Sequence, residues 1–395
     1  MTDGIAGDID HLPGRWRGLA PIIFLSFILG AAIAASIGMA FNIEAVAKRF
    51  GGSNAAYGTL ATVELLSIAA GTLAGSRLAG RLGPRMVAFA GMALAVAANL
   101  GGILTASIDQ LMAVRVLAGL GSGSVVAVVM FMAGRSDRPN VLFGALNSSV
   151  GVLGILLSVA LPRLVGAYDI TGAYGLYAAL AVLALGFILT LPGKAAPVAG
   201  EPGQPKAPSL GMEQWLPLLG LGIIFLGHSA LAIFIVRIGV GTGVPMTTLG
   251  YVFIAISALS VVLPVLSGLY GVKVPAALFA GVVLAMLAVA ANIMANAHDL
   301  PMFIVGCALY ATLPTAMMPV VLTAFARHDP SGRLAAANPA FVTVGGAVAP
   351  IISGRVIDIG GYPLVAWMST GCFLFGAVLL ASTLLAADRA RRAQG

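Results

Sequence analysis

Ser76-Arg77-Leu78-Ala79-Gly80-Arg81-Leu82-Gly83-Pro84 and Ser267-Gly268-Leu269-Tyr270-Gly271-Val272-Lys273-Val274-Pro275 are two versions of one pattern, offset by 191 residues. Serine, leucine, glycine and proline keep their places, and a basic residue falls within one position of its counterpart. Each copy fills a short polar break between two long apolar runs. The same offset carries Asn147 onto Asn338 and Gly154 onto Gly345. Self-similarity at one long offset marks an internal duplication of the chain.

The apolar runs decide what kind of chain has been duplicated. Hydrophobic residues make up 59% of the 395 residues and charged residues 9%, with a mean hydropathy of +1.03. A soluble domain carries about 25% charge. Here the charges gather in short breaks between apolar runs of roughly 20 to 25 residues, the length that spans a bilayer. The 51 glycines suit close helix packing in lipid, where small residues let backbones approach. The expectation is an all-α polytopic membrane protein. Asp3, Asp8 and Asp10 stand where a signal peptide would be basic, and the run from Gly18 to Phe41 is too long for its apolar core, so no cleavable signal is expected. Cys307 and Cys372 lie inside apolar runs, which predicts neither a disulfide framework nor a metal site.

Twelve runs qualify as spans. They cover about 17–42, 55–78, 84–107, 110–133, 140–165 and 171–192 in the first half, and about 213–237, 246–269, 274–296, 301–325, 335–356 and 363–387 in the second. The stretch 193–212, with Pro197, Pro202, Pro205 and Pro208, reads as a linker. The predicted organisation is two pseudo-symmetric six-helix bundles, 1–192 and 213–395, the second ending in a short basic tail. A duplicated polytopic chain of this kind points to alternating-access transport.

Basic residues orient the bundle. With the N-terminus inside, the cytoplasmic breaks hold fifteen: Arg15, Arg17, Arg77, Arg81, Arg85, Arg135, Arg138, Lys194, Lys206, Lys273, Arg327, Arg333, Arg389, Arg391 and Arg392. The other side holds five: Lys48, Arg49, Arg163, Arg237 and Arg355. This positive-inside bias predicts both termini on the cytoplasmic side. The net charge of +7 is then a topology signal, and its spread over separate breaks argues against a nucleic-acid surface.

Twelve spans in a 6+6 arrangement resemble the major facilitator superfamily (MFS) over nearly the whole chain. The loop after the second span is similar to that family's cytoplasmic motif through Ser76, Leu78, Arg81, Gly83 and Arg85. Gly80 stands where the motif has an acid, and the resemblance implies a weaker or different cytoplasmic lock. Arg115-Val116-Leu117-Ala118-Gly119-Leu120-Gly121 resembles the family's buried-arginine motif of the fourth span. Gly345, Ala349, Pro350, Ser353 and Gly354 have the spacing of its antiporter motif, displaced from the fifth span to the eleventh. In the fifth, Gly154, Ser158 and Val159 stand without the Gly-Pro pair.

A charge at mid-bilayer costs about 2.5 to 3.5 kcal/mol on insertion scales, so each asks for a partner or a role. Glu64 lies roughly 14 Å below the outer face and Arg115 roughly 9 Å below it, which allows them to pair. Two roles follow for Glu64: a proton-coupling site set by burial and by Arg115, or half of a structural ion pair. His228 and Arg237 on the seventh span are candidates for the substrate cavity, with packing and interfacial snorkelling as their plainer roles. Arg163 and Arg355, followed by Asp169 and Asp358, read as matched anchors or outer-gate contacts. Asn147, Asn338, Ser148, Ser149 and Thr343, with Gly345, Pro350 and Gly354, read as packing along the seam between the halves. Pro314, Pro319 and Pro350 are expected to break their helices.

No HExxH, GxSxG or Walker pattern occurs, so neither an enzyme nor an ATP-driven pump is expected. The reading is a secondary transporter, functional as a monomer and without cofactor or metal, that moves a small organic solute with protons. Sparse charge leans to a neutral or anionic metabolite. The alternatives are export of hydrophobic or amphipathic compounds, and a non-transporting receptor or scaffold.

Overall fold

A computed structural model describes residues 20–134, 139–193, 211–329 and 333–394. Arg15, Arg17, Arg135, Arg138, Lys194, Lys206 and most of the expected linker lie outside them. The described residues form helices α1 (Ala20–Ile37), α2 (Met39–Phe50), α3 (Asn54–Leu82), α4 (Pro84–Ile103), α5 (Ile108–Gly134), α6 (Pro139–Ile188), α7 (Met212–Ala232), α8 (Ile235–Gly241), α9 (Met246–Tyr270), α10 (Ala276–Ala295), α11 (Leu300–His328) and α12 (Arg333–Gln394). By length and composition nine helices among the described residues can cross a membrane, or ten when the bent pair α1–α2 is one span.

Two of these helices are long enough for two crossings each. At ~1.5 Å per residue, the 50 residues of α6 reach about 75 Å, against a hydrocarbon core of about 30 Å. Helix α6 loses helical geometry at Asp169 (φ 49°), and the 62-residue α12 does so at Gly360 and Gly361 (φ 70°). Counting each as a pair reconciles the helices with the twelve runs of the sequence. The remaining departures have local causes. Helices α1 and α2 bend by 49° around Gly38. The Asn42 side chain donates to Ala35 O (2.9 Å) and accepts from Tyr177 Oη (2.8 Å), so a carbonyl beside the bend keeps a partner inside the protein.

Pro314 and Pro319 do not break α11, nor Pro350 α12, contrary to the expectation. Prolines in membrane helices are tolerated where side chains and neighbouring helices satisfy the backbone. Here α11 is packed inside the bundle along both proline turns, with Pro314, Met317 and Val320 buried.

The duplicated element makes two helix–turn–helix joints. In the first copy α3 ends at Leu82, Gly83 takes φ 89°, and Pro84 opens α4, where its missing N–H is harmless. In the second, α9 ends at Tyr270 and a 3-10 turn over Gly271–Lys273 leads to Pro275, the cap of α10. Each joint is tied to its own half by an arginine: Arg85 Nε donates to Leu191 O (2.5 Å), and Arg391 Nη1 to Lys273 O (2.8 Å). Asp388 also accepts from the α10 N-terminal amides of Ala276 (2.7 Å) and Ala277 (3.0 Å), a cap supplied by another helix.

Within the first half, α5 packs on α3 and α4, and α6 on α1 and α4; within the second, α7 packs on α12, and α10 on α11 and α12. The halves meet through α3 with α12, α6 with α9, and α2 with α8. We call the end holding the Gly83 and Lys273 turns proximal and the other end distal. Large apolar side chains such as Leu183, Val289, Phe375 and Val378 are exposed on the outside, the surface that lipid would cover.

Candidate functional site: a central cavity and a latched distal end

The bend at Gly38 and the opposed helices α6, α7, α9 and α11 enclose a cavity of about 230 Å³ between the two halves. Its walls are largely apolar, with Phe41, Leu157, Phe253 and Ile256 among them. Phe41 and Phe253 meet edge-on across the halves, ring centroids 5.5 Å apart. Four side chains bring polar atoms to the lining: Ser158, Ser257, His228 and Tyr310.

His228 is held by stacking. Its ring lies on Tyr310 (centroids 4.9 Å, planes 32° apart) and meets Phe225 edge-on at 6.2 Å. The Tyr310 hydroxyl is directed at Gly227 O (2.9 Å) and His228 O (2.6 Å), which ties α11 to α7 and fixes the platform. His228 Nδ1 is buried without a hydrogen-bond partner. A buried polar atom left unpaired costs about 1–3 kcal/mol, which singles out this ring among the residues that line the cavity.

Glu64 and Arg115, expected to pair, come together inside the first half. Arg115 Nη1 lies 3.8 Å from Glu64 Oε1, with the two side chains 0% and 4% exposed. That distance is a charge contact and too long for a hydrogen bond. The Arg115 hydrogen bonds go instead to Asn99 Oδ1 (3.0 Å) and Ala98 O (3.2 Å) on α4, and its guanidinium stacks 4.3 Å from the Tyr174 ring centroid on α6. One arginine on α5 thus binds α3, α4 and α6.

Arg237 is not in the cavity lining. It lies at the distal end on α8, where Nη1 is 3.3 Å from Glu44 Oε2 on α2 and the guanidinium sits 5.0 Å from the Tyr57 ring centroid. Glu44 was not singled out from the sequence, because the first apolar run was closed at residue 42. The signal was the continuing helical pattern through Phe50, hidden by the bend.

Further contacts close the same end. Asp358, just before the break of α12 at Gly360, accepts from Asn54 N, Asn54 Nδ2 and Ala55 N, each at 2.9 Å, so it caps the N-terminus of α3 from the opposite half. Gly58 lies on the Pro350 carbonyl and Gly354 on the Asn54 carbonyl; a Cβ at either would overlap that backbone oxygen. Lys48 pairs with Asp169 at 2.9 Å within the first half, and Arg163 Nη2 crosses to Tyr251 Oη of the second at 3.4 Å. Asp358→Ala should loosen this end by the worth of a helix cap, about 0.5–2 kcal/mol. A lengthened mean spin-label distance between the distal tips of α2 and α12 checks it; an unchanged distance refutes it.

The other seam residues divide. Pro350 and Gly354 do pack between the halves, whereas Gly345 lies against Gly222 of α7 within the second half. Asn147 is exposed and bonds its own helix at Phe143 O (3.0 Å), and Asn338 is buried. In the proximal loop Ser76 donates to Leu73 O (2.9 Å), Leu78 is 41% exposed, and Arg81 is exposed. A Cβ at Gly80 would have no neighbour within 4 Å, so nothing is packed where the family motif places its acid.

Comparison with known proteins gives the frame for this geometry. The family model described as Major Facilitator Superfamily matches residues 22–338. Among solved structures, a peptide transporter POT mutant in complex with sulfate is 15% identical with a TM-score of 0.71, covering 93% of this chain and 95% of that one. A mutant of the nucleoside transporter NupG is 14% identical with a TM-score of 0.68, covering 94% and 100%. A bacterial homologue of the human lysosomal transporter Spinster, inward-facing and unoccupied, is 15% identical with a TM-score of 0.67, covering 94% and 96%. A search of curated proteins found no match. At these identities the structures speak for the fold alone, and they agree with the family match over most of the chain: this multi-pass membrane protein belongs to the major facilitator superfamily.

Proposed function

We propose that the chain is a secondary active transporter that moves a small organic solute across a bacterial cytoplasmic membrane by alternating access. The carrying observation is the 230 Å³ cavity between two halves that are tied together at the distal end. In this reading 1–192 and 213–395 are the rocking units, 193–212 is their linker, and both termini are cytoplasmic. The proximal end is then the inner face, and the structure corresponds to a distal-closed state in which exposed Arg77, Arg81, Leu269 and Tyr270 sit at the inner tips.

The lining limits the solute. No Asp, Glu, Lys or Arg is among the cavity residues, so a multiply charged solute would lose its hydration without a counter-charge. The volume lies below the roughly 300–1,000 Å³ of drug-sized sites. Both features favour a compact, mainly apolar, neutral or singly anionic solute that presents one hydrogen-bonding group to the His228 imidazole. The second reading, export of hydrophobic compounds, draws on the same apolar walls. Flux direction under an imposed pH gradient separates the two.

A ligand screen by thermal shift on the purified protein, followed by flux in proteoliposomes, tests the proposal. Saturating ligands that produced no flux under a pH gradient or under exchange conditions would overturn it. His228→Phe keeps the stack on Tyr310 and removes both ring nitrogens; it should weaken binding by about tenfold, the worth of one strong hydrogen bond. Equal affinity in this variant would remove His228 from the site.

A further inference from the structure

Gly154 and Gly345, carried onto each other by the 191-residue offset, have different surroundings. A Cβ at Gly345 would overlap the Gly222 carbonyl, so close helix packing accounts for that glycine. A Cβ at Gly154 would meet only Ser257 Oγ at 3.8 Å and Ile37 Cγ2 at 3.9 Å, both ordinary van der Waals contact. Packing therefore does not explain Gly154, and glycine is a poor helix former. What the missing side chain provides is room, because Gly154, Ser257 and Ile37 all line the central cavity.

This room lies on the seam between α6 of the first half and α9 of the second. One turn toward the distal end, Gly250 of α9 rests on the Ser158 carbonyl of α6, and a Cβ there would overlap it. Toward the proximal end, a Cβ at Gly151 would meet Val261 Cγ2 at 3.4 Å. The seam is thus closed at Ser158, open at Gly154 and narrowed again at Gly151. The polar side chains of the lining are unequally committed. Ser158 spends its proton on Gly154 O (2.8 Å) and Tyr310 its own on the Gly227 and His228 carbonyls, whereas Ser257 makes no hydrogen bond among the described residues. His228 Nδ1 is likewise without a partner.

We propose, on the reading of this cavity as the solute site, that Gly154 and Ser257 form a subsite for an uncharged hydrogen-bonding substituent of the solute, a hydroxyl or a carbonyl. Gly154 sets the size of that substituent, since any side chain there would fill the space beside Ser257 Oγ. Ser257 sets its polarity, because a hydroxyl both donates and accepts. An ionic substituent would lose its hydration with no charged lining residue to replace it. The solute class is a compact, mainly apolar molecule with two polar groups, one for His228 and a neutral one for Ser257.

Three measurements on the full-length protein test this. Gly154→Ala should melt no lower than the parent, as alanine favours the helix, whereas Gly345→Ala should melt lower. With Cys307→Ala and Cys372→Ser, the thiol of Ser257→Cys should be modified by benzyl methanethiosulfonate, read by intact mass. Adding Gly154→Leu should slow that reaction by about tenfold or more, the effect of ordinary overpacking. Gly186→Leu, at an exposed position of α6 with nothing packed on it, should leave the rate unchanged. In equilibrium dialysis, Ser257→Ala should weaken p-hydroxybenzyl alcohol by about tenfold and leave p-cresol, which lacks the second hydroxyl, as in the parent. A lower melting temperature for Gly154→Ala, an unmodified thiol, an unslowed rate with Gly154→Leu, or failure of Ser257→Ala to distinguish the two probes would each overturn the proposal. Labelling and probe binding as expected, but without flux of any solute, would instead count against the transporter reading alone.

Discussion

Arg115→Met is expected to destabilise the folded protein by about 3–5 kcal/mol, the usual consequence of removing one partner from a buried ion pair. The guanidinium is 0% exposed and serves three helices at once: Glu64 on α3, Asn99 and Ala98 on α4, and Tyr174 on α6. Methionine fills similar length but leaves the Glu64 carboxyl without its cation and Asn99 Oδ1 without its donor. The double variant Arg115→Met with Glu64→Met should recover much of the loss, because no buried charge then remains. Thermal unfolding in detergent measures both. A single variant that melts with the parent protein would show that the pair is not what holds α3 to α5.

Gly58→Val is expected to act on conformation rather than on stability. At this position α3 lies directly on the Pro350 carbonyl of α12, and at Gly354 the roles of the two helices are reversed, with Asn54 supplying the oxygen. The obstructing atoms are backbone, so no rotamer change can make room. Overpacking typically costs about 1–3 kcal/mol, and here it falls only on the state in which the distal ends touch. The closed population should fall between about fivefold and 150-fold relative to the open one. Spin-label distances across the distal end report this directly, while the melting temperature should change little. If Gly58→Val closes as the parent does, then the α3–α12 contact is not part of the latch.

These two expectations differ in how far the sequence anticipated them. Glu64 and Arg115 were legible because a charge inside an apolar run is conspicuous, and helical rise alone put the two at similar depths. His228 was legible for the same reason. Its bare Nδ1 and its stack on Tyr310 were not, since α7 and α11 are brought together only by tertiary contacts. Arg237 was visible, but its placement at the span's end left cavity and interface open, and the structure puts it against Glu44. Glu44 itself was passed over because Gly38 bends the first span, and a count of apolar residues cannot see a bend that Tyr177 and Asn42 support from another helix. The proline breaks failed in the opposite sense, as packing against neighbouring helices keeps α11 and α12 intact around them.

What the sequence by itself determined is the architecture. Bilayer thickness sets the length of an apolar run, positive charge suggests its side, and a 191-residue repeat declares two related halves. These are properties of the chain in one dimension, and they lead to the major facilitator fold without reference to contacts. Only the tertiary structure decided which residues from different halves meet: Glu44 with Arg237, Asp358 with the α3 N-terminus, and Gly58 with Pro350. The physical reason is that these contacts link residues about 190 to 300 positions apart, where helix rotation and tilt settle the pairing. The repeated Ser-x-Leu-x-Gly-x-x-x-Pro element marks the duplication, yet the contacts that tie the halves together lie at the other end of the helices it joins.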